Sequence, residues 1–598
     1  MGALSVNHDS IEVPEGSRPP LAFASDVAAE MLRRLGIEYI ALNPGASYRG
    51  LHDSLVNYLG NRKPQMLLCL NEDHAVSIAH GYAKATDRMM ACALHSNVGL
   101  MHGLMGIFNA WCDRVPMLVL GATGPVAVEK RRPWIDWIHT TKDQGALLRH
   151  FTKWDDEPRS ADSIVEGMIR AGQTSMTLPH GPTYMCLDAG LQEEKLAKPV
   201  RIPELTRFAA PPPPAASQAQ VERVAALLLE SRQPVLLFGR GNRTQDAWGK
   251  RVQLAELVGA RVLTSVRERA IFPTDHPLNA SAPIQWMSPH VKSVVASADV
   301  LVSLEWPELN GTLQQISRDT TTCKSQVVHV SLENYMQNGW SMDHFSVPPV
   351  DVPILADGDT FVSQLLAYLQ QLIRPGQRWN GSSFNQHKPA EYSEGAQNEL
   401  QPRDVEVALA KVRGNQKFTL AHVTIGWAGD VYHFQDPLDF LGHDGGGGLA
   451  AGPGLTVGAA LALRDSGRIV IGVLGDGDFI QGATALWTAA HYRIPALFLV
   501  SNNRSNFNDE IHQEAVAKAR GREPKNRWIG QRIDDPAVDL CALARAQGVE
   551  AGEPVASSEA LEEELRRALA IVAAGRPYFI DAHVATGYAN PPLSRGEE

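Results

Sequence analysis

Cysteine is scarce: six residues in 598, with no CxxC pair among them. That spacing offers neither a zinc cluster nor a disulfide framework. It fits reduced thiols in a cytoplasmic protein. Positive charge is in deficit, with 55 Lys and Arg against 66 Asp and Glu and a net charge of −11. A nucleic-acid or membrane partner held by bulk electrostatics is excluded on that ground. An anionic small molecule would need local help from a metal ion or helix N-termini. No run of about 18 uncharged apolar residues occurs, so no membrane span is expected. The opening MGALSVNHDSIEVPEGSRPP is polar and acidic and lacks the apolar core of a secretory signal. No short-period repeat is visible, and no full GxGxxG follows any strand-like run.

What is present is alternation. Apolar strand-like runs and helical patterns take turns along the whole chain, which predicts α/β architecture. Three doubly wound parallel-sheet domains are expected, over residues 22–195, 218–370 and 402–592. The Pro-rich PPPPAASQAQ separates the first two, and a polar Gly/Ser/Pro-rich linker over 371–401 separates the last two. In the first block, strands are predicted at 39–42, 65–70, 91–94 and 183–187, with helices at 25–35 and 73–85. In the second, strands are predicted at 234–238, 261–264, 300–304 and 326–330. The last few residues are expected to fray.

The most informative segment is RIVIGVLGDGDFIQGATALWTAAHYRIPALFLVSNN. Residues 468–474 form a near-continuous apolar run, as in a strand buried on both faces. Gly475-Asp476-Gly477 breaks it, a helix is predicted over 482–492, and a second strand over 496–500 runs to Asn502-Asn503. In such a βαβ unit the two strand ends meet at the carboxyl edge, where open α/β sheets bind ligands. Asp476 and Asn503 therefore converge. Their oxygens are hard ligands of the kind magnesium takes together with phosphate. Flanking glycines allow a diphosphate close to the backbone. GDG alone reads as an ordinary strand-to-helix turn; the whole unit favours a metal–diphosphate site.

GDG followed by NN at this interval resembles the thiamine-diphosphate signature of the superfamily containing acetohydroxyacid synthases, pyruvate decarboxylases and benzoylformate decarboxylases. The resemblance implies Mg2+ held by Asp476, Asn503 and the backbone carbonyl of Ser505. It puts the cofactor against Gly475, Asp476, Gly477, Asp478, Asn503, Ser505 and Asn506. GGGGLAAGPGLTVGAALAL resembles the family segment that places a bulky apolar residue beneath the cofactor, here Leu449 after Gly448.

The run NEDHAVSIAHGYAKAT resembles the family segment whose Glu binds the cofactor's aminopyrimidine, which makes Glu72 the activating carboxylate. A carboxyl group at the far ring nitrogen permits the imino tautomer that removes the thiazolium C2 proton. An acid in a helix first turn is also common for dipole reasons, and Asp73 fits that role better. NPGAS, with Asn43, Pro44 and Gly45, and the segment from LHS onward resemble benzoylformate decarboxylase. They imply a proton-transferring or substrate-orienting role for His95. His102 and His443 lie near the expected pocket with weaker claims.

Two departures matter. Ala46 stands where the benzoylformate enzymes carry a substrate-binding serine, with Ser47 one place later, so poor activity on benzoylformate is expected. Gly121-Ala122-Thr123 stands where acetohydroxyacid synthases have a Gln. The family's middle domain binds FAD in some members; PVLLFGRGNR is a weak nucleotide signal, and no FAD is expected here. In the family two chains share each active site, which implies a homodimer at least and a homotetramer in the fuller form. The expected activity is C–C bond cleavage or formation on a 2-oxo acid or 2-hydroxycarbonyl substrate. The rivals are an acetolactate synthase-type carboligase, a nicotinamide or flavin oxidoreductase built on the middle turn, and a catalytically silent cofactor-binding protein.

Overall fold

The computed structural model describes residues 11–284, 286–333, 347–383, 399–443 and 445–587. Three sheets, each wholly parallel, organise the chain. The first has β1 (Tyr39–Leu42), β2 (Gln65–Leu68), β3 (Met90–Leu94), β4 (Met117–Thr123), β5 (Trp154–Asp156) and β6 (Pro182–Asp188), in the order β2-β1-β3-β4-β6-β5. The second has β7 (Pro234–Phe238), β8 (Arg261–Thr264), β9 (Val300–Leu304), β10 (Gln326–Val330) and β11 (Val352–Ile354), in the order β11-β10-β9-β7-β8. The third has β12 (Phe418–His422), β13 (Ile469–Gly475), β14 (Ala496–Asn502), β15 (Glu550–Ala551) and β16 (Tyr578–His583), in the order β12-β13-β14-β16-β15. This is the three-domain α/β architecture that the alternation predicts.

Strands β3, β4, β6 and β14 are buried along their whole length, as their uninterrupted apolar runs require when helices cover both faces. The edge strands β5, β11 and β15 span three, three and two residues, too few to show a period in the sequence.

Helix Glu72–Thr86 ties the first domain to the third. It starts on Asn71, whose side chain accepts the Asp73 N–H, and stops at left-handed Asp87. It is buried nearly all round because helix Ala451–Leu463 crosses it at backbone contact. A Cβ on Gly81 would fall 2.1 Å from the Leu455 carbonyl oxygen, and one on Gly458 2.0 Å from that of Ile78. Only glycine permits so close a crossing. Side chains of both domains merge there in one core containing Ile78, Tyr82, Val457 and Phe498. The middle domain keeps a core of its own around Val224, Leu236 and Phe361.

Several boundaries differ from expectation. Strand β2 stops at Leu68, two residues before the predicted end, with Cys69 N–H making a last bond to the Leu42 carbonyl of β1 at 2.8 Å; as an edge strand it turns its outer groups to the third domain. Leu68 N–H donates to the Tyr492 hydroxyl at 2.8 Å, and its carbonyl accepts from Thr488 Oγ1 at 2.8 Å. Helix Glu72–Thr86 takes in Glu72 itself, one residue earlier than predicted. The helix expected over 482–492 is present over Ala485–His491, and an additional helix, Asp476–Gly482, precedes it, so GDGD forms a first helical turn. A Cβ on Gly482 would lie 2.7 Å from the Ala450 carbonyl, and the interruption brings Thr484 Oγ1 to 2.9 Å from His74 Nδ1. Two seven-residue helices leave a dipole argument for diphosphate binding weaker than one long helix would. Linker residues 384–398 and the terminal residues 588–598 lie outside the described set, and with them the expected end of the third block at 592. Among the described residues no helix is long and apolar enough to cross a membrane.

Candidate active site

Strands β13 and β14 pair through Gly475 and Ser501, which sets the residues after each side by side. Asp476 accepts from its neighbour Gly477 N–H at 2.9 Å and from Ser505 N–H at 3.1 Å. Asn503 Oδ1 accepts from the same Ser505 N–H at 2.9 Å. The sequence-predicted metal ligands thus form one cluster of carboxylate, amide and backbone groups. Asp476 is only 5% exposed, and burial pushes its carboxyl up to about 6. No Lys or Arg among the described residues ion-pairs with it. A buried carboxylate without a counter-ion beside hard oxygen donors fits a small divalent cation.

The surroundings fit a cofactor held close to the backbone. A Cβ on Gly475 would meet nothing within 4 Å, and one on Gly477 would crowd Asn506 Oδ1 at 2.9 Å. Asp478 lies against the first turn of helix Ala451–Leu463, taking the Gly452 N–H at 3.4 Å. Leu449 is 49% exposed and precedes Ala450, a non-glycine residue held at φ +78°. Gly448 donates to Asn109 Oδ1 at 3.5 Å, and a Cβ there would collide with Met105. A hollow of 350 Å3 opens beside Asn503 between Arg504, Arg532 and His583.

The second cluster stands on the first sheet. Its strand order reverses between β1 and β3, the place where open α/β sheets bind ligands. Asn43-Pro44-Gly45 follow β1, and His95 follows β3 as the residue before helix Ser96–Cys112. Gly45 lies so close to His95 that a Cβ would fall 2.2 Å from its ring. The Asn43 carbonyl accepts from the Tyr48 hydroxyl. Pro44, Gly45 and Ala46 also line a surface hollow of 550 Å3 with Arg49 and His52.

Glu72 is 7% exposed and reaches into the same cluster. Its carboxylate lies 3.3 Å from His102 Nδ1, on a side chain that is 69% exposed. Gly99 makes room for it, since a Cβ there would lie 2.9 Å from Glu72 Oε1. Asp73 lies in the first turn of its helix, as the sequence suggested, and is partly buried there. Burial raises its carboxyl to about 6, with the Gly106 backbone opposing and Asp478 adding to the rise. His443 is placed elsewhere: its carbonyl accepts from Lys84 at 2.8 Å, in a buried group with Asp113 and His80.

Two neighbours of His95 carry no motif. Ser47 Oγ is 2.9 Å from His95 Nδ1, and His139 packs edge-on with ring centroids 4.7 Å apart. The only sequence signal for Ser47 is its place beside Ala46; His139 lies in a loop without pattern. Among the polar contacts of described residues, none joins Glu72 to Asp476, Asn503 or Ser505. His74 does reach the third domain, through Thr484.

Three family models match in order along the chain. They are the N-terminal TPP binding domain of thiamine pyrophosphate enzymes over residues 24–147, the central domain over 221–365 and the C-terminal TPP binding domain over 423–582. The chain belongs to the thiamine pyrophosphate enzymes. As such it depends on thiamine diphosphate. The benzoylformate decarboxylase of Pseudomonas aeruginosa is 27% identical over 93% of this chain and 98% of that protein. A probable acetolactate synthase large subunit of Methanocaldococcus jannaschii is 22% identical over 96% of this chain and 93% of its own. Among solved structures, the benzoylformate decarboxylase from Polynucleobacter necessarius superposes with a TM-score of 0.78 at 20% identity, over 94% of this chain and 99% of that one. The thiamine diphosphate-dependent 4-hydroxybenzoylformate decarboxylase of Rhodococcus jostii RHA1 gives 0.75 at 20% identity, over 95% and 100%. At such identity the structural likeness concerns the fold.

Proposed function

We propose that this thiamine pyrophosphate enzyme, with Mg2+, breaks or makes the carbon–carbon bond next to the carbonyl of a 2-oxo acid or 2-hydroxycarbonyl compound, in the manner of a benzoylformate decarboxylase. The observation that carries the reading is the Asp476–Asn503–Ser505 cluster, in which an Asp and an Asn side-chain oxygen meet at the Ser505 N–H and the buried carboxylate has no counter-ion. Asp476, Asn503 and the Ser505 carbonyl would hold the magnesium. When bound, the cofactor supplies the electron sink for C–C cleavage. Glu72 would bond its aminopyrimidine ring, in the buried position that Gly99 keeps open. Leu449 would press beneath it, and His95 would face the reacting carbonyl.

The substrate is a small molecule, and benzoylformate itself is a poor one. Ala46 offers no hydroxyl, and the Ser47 hydroxyl is already engaged by His95 and the Ser96 N–H. An acetolactate synthase-type carboligase is the second reading, favoured by the archaeal relative's full-length similarity. Against it stands Gly121: a side chain there would overlap the Tyr184 hydroxyl, 1.9 Å from a built Cβ.

Each site is shared between two chains in this reading, as a homodimer at least and a homotetramer in full. Among the described residues of one chain, no polar contact joins Glu72 to Asp476, Asn503 or Ser505. Val98, Met101, Met105 and Leu449 form an exposed apolar rim around them that a second copy would cover. No FAD is bound. The middle sheet reverses its order between β7 and β9. The β7–β9 ladder runs on past the strand ends there, with Gly239 N–H to the Leu304 carbonyl and Arg240 N–H to that of Glu305, both at 2.9 Å. The scarcity of cysteine suits a cytoplasmic location.

Titration calorimetry with thiamine diphosphate and Mg2+, then a panel of 2-oxo acids with and without an aldehyde acceptor, tests the reading. Magnesium-dependent binding and carbon dioxide release from one of the acids are expected. A cofactor-loaded enzyme that turns over none of them refutes it.

A further inference from the structure

Three hydrogen-bonding groups converge at the end of β3. Ser47 Oγ accepts the Ser96 N–H at 3.0 Å, which leaves its own proton for His95 Nδ1 at 2.9 Å. The Ser47 backbone N–H also points at Nδ1, at 3.4 Å. Two donors therefore meet one ring nitrogen, and the amide is a donor that cannot turn round. Ser47 is itself buried and held, its carbonyl accepting from Gln192 Nε2 at 2.9 Å. Ser96 sits at φ +46°, unusual for a non-glycine residue, in the conformation that aims its N–H at Ser47.

We propose that Ser47 is a positioning residue that holds His95 as the Nε2–H tautomer, so that His95 meets the substrate carbonyl as a fixed hydrogen-bond donor and not as a carrier of protons. This rests on the reading that His95 faces the substrate. A proton on Nδ1 would confront the Ser47 N–H, so the imidazolium is opposed by geometry. No described residue bonds Nε2, which is left open. The groups around the ring act in the same direction on balance. Burial first, then the adjacent His139, lowers the imidazole below its usual range; Glu72 opposes, and Arg132 adds to the lowering. Tyr48 packs edge-on at 6.4 Å. A neutral donor of this kind stabilises negative charge on a carbonyl oxygen without changing its own charge.

The test has three arms on the full-length holoenzyme. Nitrogen-15 spectra of histidine-labelled enzyme, assigned with His95→Gln, should show Nδ1 bare and Nε2 protonated at pH 7; a protonated Nδ1 overturns the proposal. His95→Ala should lose about 10²–10³-fold in turnover, the contribution of one fixed donor to a carbonyl oxygen, while His95→Gln, whose amide can donate from the Nε2 position, should lose less than about tenfold. Equal losses overturn the donor role, whereas no loss in His95→Ala overturns the reading that His95 meets the substrate and leaves the tautomer measurement standing. Ser47→Ala removes the nearer donor and leaves only the backbone N–H, at 3.4 Å, against Nδ1; it should therefore add an acid-side ionisation to the pH–rate profile, and Ser47→Thr, which restores the hydroxyl, should remove it again. A native profile in Ser47→Ala overturns the role of Ser47.

Discussion

Gly45 and His95 stand at neighbouring strand ends in near contact, with a built Gly45 Cβ only 2.2 Å from the imidazole. The contact closes the crevice between β1 and β3 onto a single ring face. Ser47 and His139 hold that ring from other sides.

Gly45→Ala is therefore expected to be costly. The added methyl must displace His95 or the NPGAS turn, and overpacking of this kind costs about 1–3 kcal/mol. Turnover should fall by more than about tenfold, since catalytic groups tolerate little displacement. Steady-state kinetics and a melting curve check both effects. Native values for each would mean that the turn yields freely and that His95 does not depend on it.

Asp476→Ala should abolish magnesium-dependent binding of thiamine diphosphate, because a hard cation loses its anionic protein ligand. Calorimetric titration with and without Mg2+ reads this directly. An affinity equal to that of the native protein would place the metal elsewhere.

Glu72→Gln should still bind the cofactor while losing most activity. Glutamine fills the same space beside Gly99 but cannot share a proton with the ring nitrogen. Exchange of the cofactor C2 proton should slow by orders of magnitude. Exchange at the native rate would assign the activating role to another group.

His74 makes a pH prediction. Burial lowers its imidazole from 6.5 to about 4. The unfolded chain therefore takes up a proton below pH 6.5 that the folded chain refuses until about pH 4. Folding stability is lost across that window, by about 3 kcal/mol once the lower value is passed. His74→Asn keeps a partner for Thr484 and removes the titration. Its melting temperature should drop less between pH 7 and pH 4.5 than that of the native protein. Parallel curves would show that His74 is not a source of acid sensitivity.

Much of this protein is determined by local pattern. Strands β1, β7, β8, β9 and β10 occupy the predicted residues because each is a short apolar run between turn residues, and burial on both faces writes such a run directly into the chain. The Asp476–Asn503 pair is legible for a related reason: a βαβ unit brings its two strand ends together whatever its side chains are. The resemblance likewise singled out Glu72 and His95, each just beyond a strand end on the first sheet. What the tertiary structure alone decides is what those residues touch. Gly81 and Gly458 carry no period, yet they set the approach of two domains because carbonyl oxygens of the opposite helix occupy the space of their missing side chains. The helix expected from residue 482 begins only at Ala485, after Thr484 finds His74, a partner 410 residues away. Ser47 reaches His95, 48 residues away, only because the sheet order sets β1 beside β3. Contacts at such separations leave no periodicity in the sequence, and packing between elements, not propensity within them, selects them.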